Sequence, residues 1–422
     1  MRVLLGAQSC GFGPVSKLTA ISRALAGHYR VCVGITVASD FAQRNAEAYD
    51  EVVPLGSGVE LVDQVRSADR VISVMDADLV FTALALDRPV LLVDSLLSFW
   101  QLEKTPEEIA ATCRRMQSDR YADWRRHTAD LNPHEMIYAA HLCADASMIQ
   151  NFPGAPERVA RLRALGAASP LLSGPIVDEV GLSEVDDPGT EPFDLLINLG
   201  GFQNFLLDYD THNQYLELIS RWVPELVAER PDFRRVAVCG GGYGGPRGSE
   251  VKVGESTITF ECMSQREFMA AVARARHYLL TPGLTAIHES VALGRFPLAL
   301  PEEHYGHIAN LEALDGTLFG DAGARFRDLI EGYDVPADDF AGTAAIVSHV
   351  GDVLNDDVAY RRFADRMGEH IDTFVTLSDE VRDAGVAELR ELLSGPSFSE
   401  ILYEFVPGGL RGRRSPIEVS IP

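Results

Sequence analysis

The chain has 422 residues, 46% hydrophobic and 23% charged, which is enough apolar material for two α/β domains of ordinary size. Its formal net charge of −25 argues against a nucleic-acid polymer or an anionic membrane surface as partner. No charged, apolar leader precedes Val3 and no apolar run approaches a membrane span; Cys10, Cys32, Cys113, Cys143, Cys239 and Cys262 form no Cys-x-x-Cys pair. The expectation is a reducing cytoplasm, with no membrane partner, no metal and no disulfide framework.

Arg2 to Leu5 reads as a short buried strand running into Gly6-Ala-Gln-Ser-Cys-Gly11-Phe-Gly13-Pro14. A helix from about Val15 to Leu25 follows, since Leu18, Ile21, Ala24 and Leu25 recur at helical spacing. Pro14 fits the first helical position, where its missing N–H costs nothing. Strand, glycine loop and helix in this order open a doubly wound fold. A phosphate-binding Walker loop fails, because Phe12 stands where lysine is needed. A dinucleotide fingerprint fits in part: Gly11 and Gly13, then Ser16 in place of the third glycine, with Asp40 beyond a strand at Val31 to Val37.

The pattern repeats along the first half. Strands are expected at Glu51 to Pro54, Arg70 to Met75 and Pro89 to Val93, with helices from Val59 to Ala68 and up to Leu86. Asp76, Asp78 and Asp94 fall at the carboxyl ends of these strands, where ligands of parallel sheets collect. Helix capping explains the same aspartates equally well. Leu96 to Leu142 reads as helical with loops and holds Trp100, Tyr121, Trp124, His127, His134 and His141. It is either an insertion near a ligand or a cap with buried aromatics. Strands at Ala146 to Gln150 and Pro170 to Ser173, with a helix from Pro156 to Leu165, complete a domain over 1–175; an acidic stretch at 176–192 reads as a linker.

The second domain is expected over 193–395. Asp194 to Leu199 is an apolar strand leading into Gly200-Gly201-Phe202, and Val236 to Cys239 leads into a glycine run containing one cation, Arg247. A guanidinium there suits a phosphate or a carboxylate. Strand Thr257 to Glu261 leads to Cys262-Met263-Ser264 and a helix from Gln265 to Ala275. Leu279 to Asn310 carries most of the chemistry. A strand ending at Leu280 meets a Thr281-Pro282-Gly283 turn, and a helix opens at Leu284 and Thr285 and stops near Gly294. A short strand, Phe296 to Leu300, breaks at Pro301, and a polar run precedes a helix near Tyr305. Such a turn aims backbone N–H groups at an anion such as diphosphate. Glu289, one turn in, is placed to accept hydrogen bonds from a ribose diol. Helices follow to about Leu393, and 396–422, with Arg411, Arg413 and Arg414, is expected to be a tail packing back on the body.

Gly283, Thr285, Glu289, Gly294, Pro297, Pro301, His307 and Asn310 together resemble the donor-binding region of GT-B glycosyltransferases, within them the MurG-like branch. His307 stands where that branch often carries glutamine, and Gly294 to Pro297 is one residue wider than its spacing. The resemblance implies an α/β fold of two Rossmann-like doubly wound domains facing a cleft, and transfer of a sugar from a UDP-sugar to a small acceptor without a further cofactor. It implies that Gly200 and Gly201 lie near the donor phosphates and that Cys262 and Met263 meet the nucleobase through their backbone. Gly11 and Gly13 would approach the donor or acceptor, with Ser16 and Lys17 reaching an anion. Pro282, Gly283, Leu284, Thr285, His304 and His307 complete the implied donor site.

The acceptor must lose a proton, so a base is expected on the N-terminal side, with Asp76, Asp94 and His134 as candidates. Gly11-Phe-Gly-Pro-x-Ser16-Lys17 combined with Thr281-Pro-Gly-Leu-Thr-Ala-Ile-His-Glu289 is also similar to the cytosylglucuronate synthases of nucleoside-antibiotic pathways. That likeness implies UDP-glucuronate as donor, a cytosine as acceptor, and extra cations among Lys17, Arg247, Arg295 and His304. A UDP-sugar 2-epimerase on the same fold and a non-catalytic nucleotide binder are the other readings; a homodimer is open.

Overall fold

The computed structural model describes residues 1–56, 58–183, 192–201, 213–240 and 249–407. Arg247, with its glycine run, and the basic cluster Arg411, Arg413 and Arg414 lie outside the described residues.

The first sheet is built from β1 (Arg2–Ala7), β2 (Tyr29–Gly34), β3 (Glu51–Pro54), β4 (Arg70–Val74), β5 (Val90–Asp94), β6 (Ala146–Gln150) and β7 (Pro170–Ser173). Its order is β3-β2-β1-β4-β5-β6-β7 and every pair is parallel. Strands covered on both faces read as unbroken apolar runs, and Val3, Leu4 and Leu5 are all fully buried. The second sheet holds β8 (Leu195–Asn198), β9 (Arg235–Cys239), β10 (Ser249–Val253), β11 (Ser256–Glu261), β12 (His277–Leu280) and β13 (Leu298–Ala299). Its order is β10-β11-β9-β8-β12-β13, parallel except for the edge hairpin β10–β11.

The chain is thus an α/β protein of two Rossmann-like doubly wound domains facing a cleft, the GT-B arrangement. Strand order reverses between β1 and β4 in one sheet and between β8 and β12 in the other. Ligands of open α/β sheets settle in such crevices. Loops from both reversal points meet in one place, described below.

One hydrophobic core surrounds the first sheet and a second surrounds the other. Phe398, Ile401, Leu402 and Val406, from the helix Phe398–Phe405, belong to the first core although they lie near the chain's end. Gly174 N donates to Pro396 O and Asn151 Nδ2 to Ser394 O at 2.6 Å each, tying that returning segment to the first domain. No helix among the described residues is long and apolar enough to cross a membrane.

Several local expectations are corrected. The first helix is Phe12–Ala24, so Pro14 is its third residue; the N–H it lacks has no intrahelical partner there either. The strand read to Val37 ends at Gly34, and Thr36 opens a helix, Thr36–Arg44, that carries Asp40. The dinucleotide reading therefore loses its acidic residue at a strand end. Strand β13 is only two residues long, and β10, a mostly exposed edge strand with a short Glu250-Val251-Lys252-Val253 alternation, is not among the expected strands. Ile176, Val177 and Asp178, at the start of the stretch read as a linker, are buried, and a helix Glu179–Ser183 follows.

Candidate functional site

A cleft between the two domains is lined by both sets of reversal-point loops. From the first domain come Cys10 to Pro14, Ser16, Phe41, Met75, Ser95 and Leu96; from the second, Asn198 to Gly201, Cys239, Cys262, Met263, Gln265, Gly283 to Ala286, Glu289, Glu303, His304, His307 and Asn310.

The β8 turn is shaped for close approach. Gly200 has φ +64°, and a Cβ on Gly201 would meet the Phe12 ring at 2.6 Å, so the opposing domain already occupies that space. Across the cleft from the first domain, Gly283 begins the helix Leu284–Ala292 without a side-chain cap. Its first N–H groups are therefore left for another acceptor.

Glu289 is buried on that helix, with a relative exposure of 4%. Its Oε1 accepts from Gln265 Nε2 at 2.5 Å and from Ser16 Oγ, in the opposite domain, at 3.1 Å. Burial pushes its pKa up, while the Gln265 hydrogen bond and the Lys17 charge pull it partly back. Lys17 does not line the cleft. Its side chain is almost wholly buried, and Nζ donates to Thr285 Oγ1. Pro282 is likewise absent from the lining and contributes its carbonyl, which accepts from Asn310 Nδ2 at 2.8 Å.

The polar run after β13 lines the cleft beside the Gly283 turn. Glu303 is 2% exposed; Asn213 Nδ2 donates to its Oε1 at 3.4 Å, and its Oε2 has no partner among the described residues. Burial raises this carboxyl to about 8, so it is largely protonated at neutral pH and can donate as well as accept. His307 Nδ1 accepts from Glu303 N at 3.2 Å, and the His304 and His307 rings lie 3.9 Å apart. Burial lowers both imidazoles, His304 to about 4, so both are neutral at pH 7. The tandem Glu302-Glu303 after a strand-ending proline was the sequence signal for this wall; Gln265, the first residue after the Ser264 cap, had none beyond its position.

The candidate bases are not brought to the cleft. Asp76 caps the helix Ala77–Ala85 by accepting from Leu79 N at 3.1 Å. Asp94 has no exposure and is fully engaged, by Leu96 N and Trp100 Nε1 at 2.6 Å each and by His141 Nε2 at 2.8 Å. His134 is buried between Gln101 N and Asp339 Oδ2 of the second domain, at 3.2 and 3.1 Å. Arg295 is also spent elsewhere, donating to Ala273 O. Among the described lining residues there is therefore neither lysine nor arginine, and the first-domain wall carries no carboxylate or imidazole.

No protein-family model matches the sequence, and no curated protein does. Among solved structures the chain is similar to the glycotransferase of kitacinnamycin, at 14% identity over 93% of this chain and 98% of that one, TM-score 0.45. It is similar to TcCGT1 in complex with UDP, at 10% identity over 96% and 99%, TM-score 0.47. The glycosyltransferase SnogD from Streptomyces nogalater gives 14% over 96% and 98%, TM-score 0.42. With likeness this distant, function is read from the cleft itself.

Proposed function

We infer that the protein is a glycosyltransferase that moves a sugar from a UDP-sugar to a small-molecule acceptor. One observation carries this reading: the uncapped start of the helix Leu284–Ala292 and the Glu289 carboxylate further along it open on the same interdomain cleft. An N-terminus of that kind receives the diphosphate, and the carboxylate receives the ribose. In the transfer, the anomeric C–O bond to the diphosphate breaks and a bond to the acceptor forms. The leaving diphosphate gains charge that fixed N–H groups stabilise without reorganisation. Cys262 and Met263, at the end of β11, are the positions for the nucleobase. Titration calorimetry with UDP tests the reading: saturable binding that Glu289→Ala weakens supports it, and no binding to the wild type overturns it.

A narrower reading, transfer of glucuronate to a cytosine, draws mixed support. Without a carboxylate or imidazole on the first-domain wall, an acceptor with an already acidic N–H or O–H is favoured, as a cytosine N1–H is. The uronate finds less: a carboxylate buried without a cation is costly, and the described lining offers none. A neutral sugar fits the described lining better. UDP-glucose bound about tenfold or more tightly than UDP-glucuronate is the expected result; the reverse order restores the uronate reading. The 2-epimerase alternative asks for several carboxylates around one sugar, and Asp76, Asp78 and Asp94 are not in the cleft lining.

A further inference from the structure

We propose that Lys17 is a positioning residue for nucleotide binding: from the first domain, its ammonium, anchored on Thr285, favours the ionised form of Glu289 of the second, the form that accepts a ribose hydroxyl. The proposal rests on the nucleotide-sugar reading and adds a residue that touches no ligand. Lys17 is 1% exposed and lies behind the cleft wall. Its ammonium is fixed by Thr285 Oγ1, which donates in turn to Gly13 O at 3.3 Å. Thr285 and Glu289 are four residues apart on one helix and so share a face. The ammonium is thereby held one turn from the carboxylate. Ser16 and Gln265 both donate to Glu289 Oε1, and Oε2 takes no hydrogen bond from the described residues.

A carboxyl this buried takes up a proton unless a positive charge stands near it. A neutral carboxyl is the weaker acceptor, since hydrogen bonds to an ionised group are roughly twice as strong. Burial raises Glu289 to about 7 even so; the Gln265 hydrogen bond lowers it most and the Lys17 charge next, so loss of either favours the neutral form near pH 7. Asp178 acts against ionisation, though Arg23 pairs with it at 2.8 Å. The Tyr278 hydroxyl stays neutral, its pKa raised by burial, and accepts from Asn198 Nδ2. His288 is pushed down to about 4 by burial and by Lys17, and is neutral. Lys17 is lowered by burial and supported by Glu289 and by Asp94. It is the sole cation among the described groups acting on Glu289. Because it belongs to the first domain, nucleotide affinity is coupled to apposition of the two domains.

The test is UDP binding by calorimetry from about pH 6 to about pH 9, on the full chain with Lys17→Met and Lys17→Arg. Removing the ammonium raises the pKa of Glu289 further. Lys17→Met is expected to bind UDP about tenfold or more weakly near neutral pH, a shift of about one pKa unit or more. The loss shrinks as pH rises, because the variant's carboxyl ionises unaided while wild-type Lys17 sheds its charge. Lys17→Arg restores neutral-pH binding and keeps it at the alkaline end. Should Lys17→Met fail to fold, Thr285→Val, which frees the ammonium from its anchor, gives a smaller loss of the same pH shape. A loss equal at every pH, or no rescue by arginine, overturns the proposal while UDP binding by the wild type leaves the parent reading intact. A wild type that binds no UDP at any pH removes both.

Discussion

The Phe12 ring stands over Gly201 so closely that a Cβ there would lie 2.6 Å from two ring carbons and 2.7 Å from a third. The two residues come from opposite domains, Phe12 opening the first helix and Gly201 in the turn after β8, and both line the cleft. Gly201→Ala therefore pushes the domains apart or displaces Phe12, at a cost of about 1–3 kcal/mol typical of overpacking. The expected outcome is weaker UDP binding, with a companion Phe12→Ala substitution restoring part of it. Calorimetry on the single and double variants decides; additive losses would show that the two residues do not share this space.

Glu289→Ala removes the acceptor proposed for the ribose. A hydrogen bond to a charged group is worth about 1.5–3 kcal/mol, so the donor KM should rise by about tenfold to a hundredfold or more. Glu289→Gln should retain the bonds to Ser16 and Gln265 in part and lose less. Steady-state kinetics with a varied donor gives the ratio, and a KM equal to the wild type's removes the ribose assignment.

Glu303 makes stability depend on pH in a direction opposite to that of a salt-bridged carboxylate. Its folded pKa is raised to about 8 by burial, above the ordinary value of 4.5. From about 4.5 to about 8 the folded state binds the proton and the unfolded state does not, so stability falls as pH rises through that window. Thermal melts at several pH values in the absence of ligand should show this decline, and Glu303→Gln should flatten it. An unchanged slope in the variant would mean that other groups carry it.

Asp94 is expected to matter for folding, not for proton transfer. It is unexposed and anchors Leu96 N, the Trp100 indole and His141, whose Nδ1 has no partner among the described residues. Asp94→Ala leaves the buried Trp100 and His141 groups and the partly buried Leu96 N–H without this acceptor, and about 3–5 kcal/mol is the expected loss. Urea denaturation measures it. A fully stable variant with abolished turnover would return Asp94 to the chemistry.

Much of the second half was legible because its signals are local. The Thr281-Pro282-Gly283 turn, the helix carrying Glu289 and the strand before them follow from apolar runs and breakers within about thirty residues. Gly200 and Gly201 follow β8 at the reversal point and Cys262 and Met263 follow β11; all four lie at the carboxyl ends of parallel strands, which face the cleft. Candidate bases chosen by residue type were not legible in this way. Asp94 and Asp76 also end strands or cap helices, but only neighbours distant in sequence determine that the Trp100 indole and His141 close over Asp94.

The sequence by itself determined two parallel α/β layers, their glycine turns and the helix that presents Glu289, since periodicity and turn chemistry act over a few residues. Tertiary structure alone decided that Ser16 meets Glu289 across 273 positions, that Lys17 is buried behind the cleft wall, and that Glu303 faces the cleft with one oxygen unpaired among the described residues. Charge state and accessibility depend on what packs around a group, and that is fixed only when the two domains come together.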